Sequence, residues 1–237
     1  PRVRRQRQMC IRDRLYILPV GILAFAAQLS AQIEAGVIVG ALGKYTLVII
    51  GSNCIQFFLV LPVFLLLRGL NPISVFRKMS PAIAVALFTK SSAGTLPVTL
   101  ASAETNLRAD PAVSRFVLPI CTTINMNGCA AFILVTSLFV MQNAGYSLDM
   151  PTMLTWLVVA VIAAIGNAGV PMGCYFLTLS LMSGIGAPIG LMGIILPIYT
   201  IIDMIETAEN VWSDSCVCAM TDHDLEGKLE PAAAVEA

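Results

Sequence analysis

Residues 15–33 and 40–67 are apolar runs, each long enough to cross about 30 Å of hydrocarbon at about 1.5 Å per helical residue. In lipid every backbone N–H and C=O must find its partner inside the protein, so these runs can only be helices packed as part of a bundle. Composition points the same way: 57% of residues are hydrophobic and 12% charged, against about 25% charged in soluble domains. Mean hydropathy is +0.84. The fold class is therefore an all-α membrane protein. The formal net charge is zero and no basic stripe with interleaved aromatics occurs, which leaves no footprint for nucleic acid.

Two further apolar segments are broken. "KSSAGTLP" interrupts residues 82–103 and "GNAGVPMG" interrupts residues 153–196. Glycine, proline and polar residues at membrane depth end a through-going helix, and such breaks are tolerated only where the backbone is buried in protein or lines a cavity. Each segment reads as a re-entrant helical hairpin, the first at about 80–104 and the second at about 153–189. Each is followed by a span with polar residues at its middle: 113–142 with "TTINMNG", and about 190–218. Two such units are expected of an inverted repeat in a secondary transporter. With the first span running outward, Arg68, Arg77, Lys78, Arg108, Arg115 and Lys228 fall inside and Lys44 outside, as the positive-inside rule asks.

In the last span, Asp203, Glu206, Thr207, Asn210 and Asp214 lie within about 60° of one meridian of a helix. Glu209 lies about 120° off that stripe. A carboxylate in the bilayer core costs about 2.5–3.5 kcal/mol on insertion scales, so these acids need partners. Asn125, Asn127, Asn210 and Asp214 offer oxygen ligands, with carbonyls from unwound backbone at "NMNG" and "GNAG"; an all-oxygen set suits a hard cation, sodium or a proton. Ser91, Ser92, Gly94 and Gly169 stand where half-helices present N–H groups and hydroxyls to a carboxylate, and Asp203 suits an ammonium. Together these pockets describe an α-amino acid. Lys90 reads either as a snorkelling lysine or as a partner of Glu206. The seven cysteines are odd in number and scattered, and read as small hydrophobes; Cys216-Val-Cys218 and His223 do not have zinc-site spacing.

"KSSAGTLPVTL", "LPICTTINMNG", "GNAGVP" and "DMIETAENVWSD", in this order, resemble the dicarboxylate/amino acid:cation symporters, the glutamate-transporter family. The resemblance covers nearly all of residues 15–225 and implies an elevator-type transporter fold, incomplete at its N-terminus. It implies a scaffold transmembrane helix at 15–36 and a transport domain at 37–220. Residues 1–14 are set aside as a basic flank or artefact, and 221–237 read as a solvated tail. A homotrimer in the cytoplasmic membrane and sodium-driven movement are likewise implied, with co-transported sodium and no organic cofactor. Carried over by position, Ser91, Ser92 and the first tip would bind the substrate α-carboxylate with Asn210, and Asp203 the ammonium. Gly169 and Val170 would make the second-gate contacts, with Glu206, Thr207 and Cys129 completing the substrate pocket. Thr123, Asn125, Met126, Asn127, Asn210 and Asp214 would hold sodium.

Three departures matter. Glu206 stands where carriers of acidic amino acids in this family have Arg, Cys129 where they have Thr, and Asn127 where Asp is usual. A glutamate there repels a second carboxylate unless it is protonated or paired. With "ETAxN" and "KSSA" matching the serine/threonine branch, the expected substrate is a small neutral amino acid; the alternative is a sodium- or proton-coupled carrier of dicarboxylates or acidic amino acids. An enzyme is not expected: Asp203 and Asp214 share one helix, no HExxH occurs and no histidine lies in an apolar segment. A passive channel, which would arrange its polar residues in rings, fits the compact pocket less well.

Overall fold

The computed structural model describes residues 39–167, 169 and 171–226. The expected scaffold helix, the tail beyond Glu226 and the contacts of Val170 lie outside these residues. The chain divides into two compact units, 1–44 and 45–237. Of the first, only residues 39–44 at the start of a helix are described.

All the regular structure described is helical. Helix α1 (Val39–Ile55) passes through a wider turn, Gln56–Val60, into α2 (Leu61–Leu67). In that turn Leu61 N–H bonds the carbonyl of Gln56, five residues back, so one extra residue is accommodated without breaking the span. Helices α3 (Pro72–Thr89) and α4 (Ser92–Ser102) form one pair, packed on each other and joined through Lys90 and Ser91. Next come α5 (Pro111–Ile124) and α6 (Asn127–Asn143), one span broken at Asn125 and Met126. Helices α7 (Met150–Gly166) and α8 (Gly173–Gly184) form the second pair, and both lie on α6 rather than on each other. The last helix, α9 (Gly190–Leu225), touches α3, α4, α5, α6 and α8.

The sequence sets these boundaries locally. Asn71, Asp110 and Asp149 each cap a helix by accepting backbone N–H bonds, and Pro72, Pro111 and Pro151 follow within two residues, where a missing N–H is harmless. Among the described residues, three stretches are long and apolar enough to cross a membrane: Gly40–Leu67, Pro111–Asn143 and Gly190–Leu225.

One end of the bundle is tied by polar contacts. The Arg68 guanidinium pairs with Asp224, Asp222 Oδ1 accepts from Asp110 N at 2.8 Å, and Asn106 Nδ2 donates to the Lys78 carbonyl. Arg115 forks onto the half-buried Glu104 carboxylate at 2.8 and 3.1 Å. These are chain ends that charge placement puts on one side of the bilayer. Behind them a core of Leu61, Leu65, Met79, Ala82, Ala86 and Leu118 packs on Ala208, Val211, Trp212 and Cys216. The Trp212 ring meets Phe76 edge-on at 5.4 Å, and its Nε1 donates to the Phe57 carbonyl inside the widened turn.

From Glu206 to Cys216 every residue of α9 is buried. The polar stripe does not by itself mark which residues of α9 are buried. Glu209 is off the stripe yet 1% exposed, because α9 is surrounded by other helices instead of resting against them on one side.

Candidate functional site

The break between α5 and α6 brings the motif residues to α9. Asn125 ends α5 with φ −95°, ψ 66°, and Met126 precedes α6 with φ −104°, ψ 66°, so neither continues the helix. Asn125 Nδ2 donates to Asp214 Oδ1 and Ser213 Oγ, both at 2.9 Å, and Asn127 Nδ2 donates to the same Ser213 Oγ at 2.7 Å. One turn earlier, Gly128 N–H donates to Asn210 Oδ1 at 3.0 Å. Gly128 allows this approach: a Cβ there would stand 3.0 Å from the Glu206 Cα and from Asn53 Oδ1. Ser213, which joins the two asparagines, is a site residue the motifs did not single out.

Thr123 is not brought to this group. Its hydroxyl is exposed and donates to the Ile120 carbonyl of its own helix at 2.7 Å. Thr207 is buried beside Asp203, but its hydroxyl is likewise used within α9, on the Asp203 carbonyl.

The two pair tips meet. Ser91 caps α4 by accepting from Gly94 N at 3.0 Å, while its Oγ donates to the Gly169 carbonyl at 3.2 Å. Gly169 has φ +65°, and a Cβ on it would lie 2.9 Å from the Thr122 carbonyl and 3.4 Å from Ala93 N. Only glycine fits this crossing of the second tip over the end of α5 and the start of α4. Ser92, next to Ser91, is 3% exposed.

Around Asp203 and Glu206 the polar atoms are left open. Asp203 Oδ1 accepts from Tyr199 at 3.3 Å, but among the described residues its Oδ2 has no hydrogen-bond partner. Neither oxygen of Glu206 nor of Glu209 has one, and the Asn53 and Asn167 side-chain oxygens are also unmatched. Among the described residues no ion pair within 4.0 Å reaches Lys90, so the pairing with Glu206 that the sequence left open is not formed. Buried acceptors without donors mark where a cationic or N–H-bearing ligand belongs.

Reading every cysteine as a small hydrophobe needs correction at two positions. Cys129 on α6 and Cys174 on α8 are paired, with Cα atoms 5.7 Å apart. Forty-five residues of sequence separate them, so spacing could not reveal the pair. Asn167 Nδ2 points to both sulfurs, at 3.4 and 3.2 Å, and Asn210 Nδ2 to Cys129 Sγ at 3.5 Å. An apolar groove of about 670 Å³ lined by Phe57, Phe58, Ile73, Phe76 and Trp212 lies elsewhere and shares no residue with this centre.

Comparison with known proteins gives the same constellation a family. The sequence profile of the sodium:dicarboxylate symporter family matches residues 11–224. Excitatory amino acid transporter 1 of Ambystoma tigrinum is 33% identical over 211 residues, covering 88% of this chain and 39% of the relative. The human transporter of that name is 32% identical over 211 residues, with the same coverage. Excitatory amino acid transporter 4 of Mus musculus is 31% identical over 218 residues, covering 91% of this chain and 39% of the relative. The chain thus spans about two fifths of the length of these relatives. With nine tenths of its residues in the match, it belongs to the sodium:dicarboxylate symporter family.

Proposed function

We propose that this chain is the substrate-carrying part of a sodium-coupled symporter that moves an amino acid across a membrane, and that it performs no covalent chemistry. The observation that carries this reading is the set of buried, unmatched acceptors on α9, Asp203 Oδ2 and both Glu206 oxygens, set beside two helix breaks and two touching tips. The α-carboxylate would take the N–H groups and hydroxyls of Ser91 and Ser92, with the Asn210 amide, and the ammonium would take Asp203. Sodium, as cargo, would be held by oxygens of Asn125, Asn127, Asn210 and Asp214 and the backbone of Met126, an all-oxygen set suited to a hard cation. For that, the Asn125 and Asn127 amides must turn their oxygens where their nitrogens now meet Ser213 and Asp214. The Thr123 hydroxyl has no part in this arrangement. A homotrimer and the cytoplasmic membrane remain part of the proposal through the family resemblance.

The substrate side chain is where two observations pull apart. The family's description and the relatives' names back an acidic amino acid or dicarboxylate better than serine or threonine. That reading requires Glu206 to be uncharged when the substrate arrives. A small neutral amino acid is the second reading, favoured by Glu206 itself, a buried carboxylate with no cation beside it where a substrate carboxylate would otherwise sit.

The test is sodium-gradient-driven uptake into vesicles by the full-length protein, with labelled aspartate and labelled serine in competition. Aspartate uptake that serine does not displace supports the acidic reading, and the reverse supports the neutral one. Uptake of neither above the sodium-free background would sink the symporter reading. In the neutral case Glu206→Arg is expected to bring competition by aspartate.

A further inference from the structure

We propose that Cys129, Cys174 and Glu206, once the cysteine pair is reduced, form a binding site for a thiophilic divalent cation of the zinc class, and that the bound ion ties the second tip to the centre of the bundle. The three side chains come from three helices, α6, α8 and α9, and are 5%, 1% and 1% exposed. One ligand atom from each lies within 4.8 Å of the other two. A tetrahedral zinc with sulfurs at about 2.3 Å and a carboxylate oxygen at about 2.1 Å sets sulfurs about 3.8 Å apart and sulfur and oxygen about 3.6 Å apart.

Two independent features point to a cation. Both Glu206 oxygens are buried and, among the described residues, without a hydrogen-bond partner, and a carboxylate oxygen lies within 4.8 Å of both sulfurs. Behind the sulfurs stand N–H donors: Asn167 Nδ2 at 3.2 and 3.4 Å and Asn210 Nδ2 at 3.5 Å. Such donors stabilise metal-bound thiolates and fix their orientation. The fourth position is left to water or to a polar group of the substrate.

Loading balances simply. A thiol or phosphine reductant supplies two electrons to the sulfur–sulfur bond and leaves oxidised, giving two thiols. The ion then displaces two protons, one from each thiol, and takes the carboxylate of Glu206 as third ligand. Because Cys174 lies on the arm that follows the second tip, the ion fastens that arm to α6 and α9 together. The site shares Glu206 and Cys129 with the proposed substrate pocket, so cation binding is read with no amino acid present.

Cadmium ion, whose thiolate complexes absorb in the ultraviolet, is the probe, added to the 237-residue chain in detergent with a phosphine reductant. To silence the other thiols, Cys10, Cys54, Cys121, Cys216 and Cys218 are replaced by Ala in one version, and the unaltered chain is titrated beside it. A saturable absorption band is expected at one cadmium per chain, absent without reductant. Cys129→Ser and Cys174→Ser should each weaken it at least about tenfold, and so should Glu206→Gln, which keeps the shape and removes the charge. A band unchanged by Cys174→Ser or by Glu206→Gln overturns the proposal. If the Ala version does not fold, melting of the unaltered chain decides: reduced protein should melt higher with cadmium by mass action, and oxidised protein should not. Equal shifts in both states would also overturn it.

Discussion

The first helix pair packs its arms α3 and α4 on each other, and its tip is closed by its own groups: Lys90 in the left-handed region at φ 53° and Ser91 capping α4. The second pair spreads α7 and α8 over α6, and its tip turns through Gly169 at φ +65° and Met172 at φ +59°. The first tip would keep its shape alone. The second is held from outside, by the Ser91 hydroxyl and the Cys129–Cys174 pair, with Gly169 close against the Thr122 carbonyl. The position of the second tip therefore depends on its contacts with other elements more than on its own internal bonds.

The largest expected break in this contrast comes from Gly169→Ala. Left-handed backbone costs a non-glycine residue about 1–2 kcal/mol, and the new methyl would meet the Thr122 carbonyl at 2.9 Å. Substrate affinity, read as the half-saturating concentration for uptake, should worsen at least about tenfold, since about 1.4 kcal/mol is a factor of ten. Gly94→Ala at the first tip sits in a helical turn, where alanine is the better residue by up to about 1 kcal/mol and only the movable Ser91 side chain is near. If both variants lose affinity equally, the two tips do not differ as described.

A middle-sized effect belongs to Ser91→Ala, which removes a cap and the link to Gly169. About 0.5 kcal/mol is expected from each, together a several-fold loss of affinity in the same uptake measurement. Loss without any change in second-tip opening, followed by a spin-label pair across the tips, would show that the link is idle.

Smaller still is a difference at the bases. Asn71 caps the first pair and does not titrate, whereas Asp149 caps the second. Bonds from the Thr152 hydroxyl and backbone N–H hold the Asp149 carboxyl below its ordinary value. The folded pKa is depressed, so this contribution is full above about 3.9 and fades as pH falls through the lower folded value. The protection factor for hydrogen exchange at Thr152 should fall below about pH 4 while those of Ile73 and Ser74 hold; parallel behaviour would erase the contrast.

The smallest effect is expected outside both pairs. Thr123→Ala should leave the sodium dependence of uptake within about twofold, because the hydroxyl is exposed and bonded within its own turn. A tenfold change would return Thr123 to the sodium site.

Local breaks in pattern were legible: Ser-, Gly- and Pro-rich interruptions mark both tips, and "NMNG" marks the gap between α5 and α6. The side chains of Asp203, Asn210 and Asp214 follow from the meridian of α9. What sequence could not supply was anything decided by a neighbour on another helix. Glu209 is buried by elements beyond the stripe, Cys129 finds Cys174 across 45 residues, and Ser213 matters through two asparagines far away in the chain. The Thr123 hydroxyl turns to the Ile120 carbonyl, and a motif position does not say which way a hydroxyl at a helix end will turn.

The widened turn at Gln56–Val60 makes the spacing of this chain a mechanical setting. Its extra residue fixes the rotational phase between Leu61 and the earlier part of the helix, where Asn53 approaches Gly128 and Tyr45 bonds Thr136 at 2.8 Å. Deleting one residue there would restore an ordinary helix and rotate that earlier part by about 100° relative to Leu61, with no side chain substituted at the site itself. Two proteins identical in every motif yet differing by one residue in this turn would therefore present different faces of the same helix to the bundle, and alignments that let a gap drift along the span would hide the change.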